Sequence, residues 1–231
     1  MQAALQVGPF ILKTQWLVII LSAFVGYSVM RYRLKTAGYP NKRMIETIEN
    51  SLIIALMVWK LSLILFDPVS VVTNPLGLLY FSGGERGIWL AAVVVIFYFY
   101  YRSKKDHVSV CFYGDLLAAG FLATTAVYHL IHLFGSKQPI WVDGSEILIA
   151  LLLLLLIFRR SKGIGMPYHL NQVLMWFSLG QVFVLFLNPL KQNDWWGFSQ
   201  GQILYLSLAA LCLAIGLFAE KKRLIRLNRI N

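Results

Sequence analysis

Between Trp141 and Phe158 the chain holds the leucine-rich run ILIALLLLLLIF, which ends on Arg159 and Arg160. Few folds admit such a stretch. Backbone polar groups in apolar surroundings must satisfy one another, and a helix of roughly 20 apolar residues does so while crossing a bilayer. Six further segments share this character: Thr14 to Met30, Ile45 to Phe66, Gly87 to Tyr101, Val108 to Phe134, His169 to Asn188 and Ile203 to Ala219. A chain that is 58% hydrophobic and 13% charged, with a mean hydropathy of +0.67, lies outside the range of soluble domains. The expectation is an all-α polytopic membrane protein, a single membrane domain over residues 1–231 with seven transmembrane helices.

The formal charge of +11 does not describe a nucleic-acid surface. Sixteen of the 21 basic residues fall in four clusters between apolar runs: Arg31 to Arg43, Arg102 to Lys105, Arg159 to Lys162, and Lys221 to Arg229. Clusters of this kind follow the positive-inside bias and favour anionic headgroups. Placing all four in the cytoplasm puts the N-terminus outside and the C-terminus inside. Trp141, Trp195 and Trp196 then fall at the outer boundary, where aromatic rings favour the interface.

Cys111 and Cys212 both sit in apolar segments, too few and too far apart for a disulfide framework or a zinc site. The N-terminus lacks a basic stretch before an apolar core, so no cleavable signal peptide is expected. No inverted repeat or pair of broken helices points to a transporter. Two outer connections are more than plain links: residues 67–86, with FSGGERG, and residues 189–202, PLKQNDWWGFSQGQ.

Ionisable residues at membrane depth default to a functional reading. Glu46, Glu49 and Asp115 fall low in their spans. Lys60, Tyr128, His129, His132 and Asn188 fall high, where they would share an outer-leaflet cavity with FSGGERG. His129 and His132 are three apart and Tyr128 and His132 four apart, so each pair shares a helical face. Three roles are open to the histidines. A metal site lacks an evident further ligand at this depth. General acid–base work suits imidazole, which titrates near neutrality. The plainest role is hydrogen bonding between helices or to a headgroup. Asp115 reads either as part of a proton path with Glu49 or as a span-end residue facing water.

The order of features resembles the bacterial prolipoprotein diacylglyceryl transferases. VGPF (Val7 to Phe10) and the RYRLKTAG exit open the likeness. WKLSLILFD looks like the family's A-R-L-x-Y-V-L-F segment, with Lys60 at the arginine. NPLGLLYFSGGERG resembles the stretch ending in S-F-H-G-G-x-x-G, GDLLAAG the start of the fourth span, and QGQILYLSL the G-Q-x-L-S-L-P ending. The departures fall on the chemistry. Ser82 stands at the histidine of H-G-G. YHLIHL replaces G-R-x-G-N-F, with His129 at the arginine and His132 at the asparagine. Leu187 and Asn188 stand at the charged places of R-E-P, and Gln15 at the first-span tyrosine.

The resemblance implies a multi-pass protein of the bacterial inner membrane that moves the diacylglyceryl group of phosphatidylglycerol onto a lipoprotein cysteine. The implied partners are an anionic phospholipid and a lipoprotein or another membrane protein, with no nucleic acid, cofactor or metal. His129 and His132 are the expected catalytic residues. Lys60, Ser82, Gly83, Gly84, Arg86, Tyr128 and Asn188 are expected to bind lipid. Because two arginines and a histidine of the family pattern are missing, the alternative is a catalytically inactive homologue acting as a subunit or chaperone of a membrane complex.

Overall fold

A computed structural model describes residues 4–7, 10–36, 38, 42–73, 84–135, 139–159, 164–188 and 197–228. Seven long helices and one short helix account for nearly all of them: α1 (Thr14–Thr36), α2 (Lys42–Phe66), α3 (Pro68–Thr73), α4 (Gly84–Asp106), α5 (Val110–Gly135), α6 (Ile140–Arg159), α7 (Pro167–Leu187) and α8 (Gln200–Asn228). Each of the seven expected spans coincides with a long helix. Six of the seven are long and apolar enough to cross a membrane, so this is a multi-pass membrane protein. The exception is α4, whose apolar stretch is followed by Tyr98, Tyr100, Tyr101 and a basic end.

One element departs from an all-helical reading. A short antiparallel hairpin, β1 (Ala4–Val7) and β2 (Phe10–Lys13), precedes α1, with Val7 opposite Phe10 and Ala4 opposite Lys13. Its two strands are separated by Gly8-Pro9, a dipeptide that favours turns.

The chain forms two compact units: Met1–Gly38 with Gly114–Asn231, and Tyr39–Tyr113. In the second, α2 packs on α4. At one end Gly87 lets the helices close, since a Cβ there would stand 3.2 Å from the Trp59 carbonyl oxygen, and Trp59 Nε1 donates to the Gly84 carbonyl at 3.3 Å. At the other end Arg102 donates to Thr47 Oγ1 at 2.6 Å and pairs with Asp106 at 3.4 Å, while the Tyr113 hydroxyl donates to Asp106 at 3.2 Å. Thr47, Arg102 and Tyr113 thus meet polar partners from a neighbouring turn or helix, which offsets the cost of placing them in an apolar setting.

In the larger unit the core joins α5, α6 and α7 through Ala119, Leu122, Ala126, Ala150, Leu153, Ile157 and Val173. The α5 members recur at three- and four-residue spacing, which lines them up on one face. Small residues bring α1 against α5: a Cβ on Gly26 would stand 2.6 Å from the Gly120 carbonyl oxygen and collide with Thr124 Oγ1. Close approach of this kind is how membrane helices gain packing energy without a hydrophobic drive between them. Leu148, Leu151, Leu152 and Leu155 of α6 remain exposed, which suits acyl chains and not water.

Candidate functional site

Residues 136–139 separate α5 from α6, so the C-terminal end of one helix lies beside the N-terminal end of the next. Tyr128, His129 and His132 sit on the last two turns of α5, and Asp143 on the first turn of α6. Asp143 is enclosed, with 1% of its side chain exposed, while His129 and His132 keep 22% and 31%. His129 Nδ1 stands 2.8 Å from Asp143 Oδ1, and His132 Nδ1 stands 3.1 Å from Oδ2. The Tyr128 ring stacks on His132 at 5.7 Å and meets His129 edge-on at 5.3 Å.

An ionised carboxylate only accepts, so both Nδ1 atoms carry their protons toward Asp143. That fixes both tautomers and leaves each Nε2 as the atom available for chemistry. A carboxylate that holds imidazole by Nδ1 is the arrangement that orients a general base and stabilises its charged form. The three residues expected from the sequence to face one another do so, and Tyr128 packs on both histidines. Asp143 was not foreseen. It lies inside the expected span from Trp141 to Phe158, three residues before Glu146, and two acids at that spacing inside an apolar span were the available signal.

Further polar groups gather at this end of the larger unit. Gln181 Nε2 donates to Glu146 Oε2 at 2.8 Å, and Trp141 Nε1 donates to the Leu187 carbonyl at 3.3 Å. The latter bond draws Asn188, at the extended C-cap of α7, toward the start of α6. Gln202 has a local task. The Ser199 N–H donates to its Oε1 at 3.0 Å and its own N–H donates to Ser199 Oγ at 3.3 Å, a reciprocal cap at the start of α8.

Lys60, half-buried on α2, and Gly84 and Arg86, exposed at the start of α4, belong to the smaller unit. Gly84 takes φ +59°, a left-handed conformation that glycine adopts without strain. Ser82 and Gly83 lie outside the described residues.

Asp115 is not a water-facing span end. It is buried and accepts from Arg33 Nε at 2.9 Å and Nη2 at 2.6 Å, while Arg33 Nη1 donates to the Ile157 carbonyl at 3.0 Å. Arg33 thus leaves the headgroup-facing cluster in which the sequence pattern places it. Its partners are a helix neighbour in the fold, not a lipid. A buried acid so near would otherwise stand unpaired, and that cost draws the guanidinium inward.

Among the described residues no three His, Cys, Asp or Glu side chains are grouped so as to hold a metal. No family model matches the chain, and no curated protein matches it.

Proposed function

We propose that this chain is a transferase of the bacterial inner membrane, with seven spans, its N-terminus outside and its C-terminus cytoplasmic. Its donor is an anionic glycerophospholipid, phosphatidylglycerol above all, and its acceptor a lipoprotein cysteine. One observation carries the reading: the enclosed Asp143 carboxylate holds Nδ1 of both His129 and His132. That arrangement leaves Nε2 of each partly open histidine to serve as a base, which the acceptor thiol requires, because the thiolate is the nucleophile.

In the step proposed, Nε2 of one histidine takes the thiol proton. The sulfur bonds to the glyceryl carbon as that carbon's bond to the phosphate oxygen breaks, and glycerol phosphate departs. Asp143 stabilises the imidazolium that forms. The likeness to the diacylglyceryl transferases in VGPF, GGERG and GDLLAAG supports the choice of substrate.

The test is transfer by the purified full chain from labelled phosphatidylglycerol to a lipobox peptide. Wild-type protein is expected to transfer, and His129→Ala, His132→Ala and Asp143→Asn to lose about 100-fold or more. Folded wild-type protein that binds lipid without transfer, or histidine variants at the wild-type rate, would overturn the proposal.

A further inference from the structure

Away from the histidines, at the other end of α7 and α8, a cavity of about 490 Å³ opens between the two helices. Asn171 and Gln181 are ten residues apart on α7, which separates the cavity from the Glu146 pair by about 15 Å along the axis. The cavity falls in the size range of small-molecule sites, which run from roughly 300 to 1,000 Å³. Asn171 Nδ2 donates to the Cys212 carbonyl at 2.8 Å, which fixes the antiparallel register of the two walls.

That register orders the walls by polarity. Met175 and Leu213 stand toward the middle of the helices. The amides of Asn171 and Gln172 follow, opposite Gly216, and then the exposed ring of Tyr168. The membrane-spanning part of α8 ends at Ala219, and the exposed Lys221 comes one turn after Leu217. Lys222 and Arg223 continue the sequence. Along one line the protein offers apolar contact, amide hydrogen bonds and then positive charge. A diacyl phospholipid presents the same order: acyl chain, ester carbonyl, phosphate.

We infer that the cavity between α7 and α8 is a binding site for one anionic phospholipid, separate from the histidine cluster. The start of an acyl chain lies against Met175 and Leu213, the ester carbonyls meet the amides, and the phosphate reaches Lys221. Among the described residues no lining side chain is charged, so discrimination between headgroups falls to Lys221, since a cation near an anionic headgroup favours binding.

The experiment uses the full chain, stripped of lipid in a neutral detergent and titrated with dioleoyl phosphatidylglycerol or dioleoyl phosphatidylcholine. Native mass spectrometry counts the lipids retained. One phosphatidylglycerol is expected to be held in preference to phosphatidylcholine, and Lys221→Gln to reduce that preference about fivefold. Gly216→Leu should lower the count by the one lipid held in this cavity and leave transfer from labelled phosphatidylglycerol at the wild-type rate. The nearest atom to a Cβ at Gly216 is 3.6 Å away, so the new side chain fills the cavity without moving backbone. Leu148→Ala, on the exposed face of α6, should retain lipid like the wild type. Equal retention of the two lipids by the wild type, or unchanged retention by Gly216→Leu, would overturn the inference.

Discussion

Asp115 and Asp143 are both buried carboxylates within the larger unit, yet their partners make them different things. Asp115 faces a guanidinium that is itself enclosed and whose remaining donor is taken by the Ile157 carbonyl. The carboxylate is bonded twice to one enclosed cation. Asp143 faces two imidazoles, each of which stays partly open. Identical acids, similarly enclosed, thus form a sealed pin in one place and a group within reach of its surroundings in the other. Accessibility of the partner decides which, more than burial of the acid.

The comparison can be broken most forcefully at the pin. Arg33→Leu strands a buried carboxylate and should cost about 3–5 kcal/mol, read as a fall in the unfolding midpoint in detergent. Arg33→Met with Asp115→Leu should recover most of that loss, because neither charge is then left unpaired. At the second acid, the double variant His129→Ala/His132→Ala leaves Asp143 without its imidazoles and should cost about 1–3 kcal/mol. Either single variant should cost well under half as much, since one imidazole still serves the carboxylate. Additive single losses would show that the histidines do not share it. The smallest effect is expected from Tyr128→Leu, about 0.5–1.5 kcal/mol from lost ring contacts, with the Asp143 interactions intact.

Much of this architecture is readable from local sequence. The leucine run of α6 and the basic clusters that close every other segment place seven long helices to within a few residues, because bilayer thickness and backbone hydrogen bonding act on the segment alone. The facing of Tyr128, His129 and His132 follows from helical spacing in the same way. Arg33 was not readable. It sits among Arg31 and Lys35, whose charges do face outward, and its acid lies 82 residues further on. The hairpin before α1 was missed because apolar strands beside an apolar helix leave only Gly8-Pro9 as a sign. Asp143 was passed over for its position. At the start of a span, an acid looks like a residue at the water boundary.

The histidines and Asp143 are 14 and 11 residues apart, all within one helix–turn–helix. As a ribosome feeds the chain into a membrane, this hairpin is complete once α6 has emerged, and closing so short a loop costs little entropy. The acid therefore finds its imidazoles within one hairpin, whereas Arg33 and Asp115 must close a loop of 82 residues to pair. The histidine–aspartate cluster is a property of two adjacent helices, complete before the last two helices pack against them.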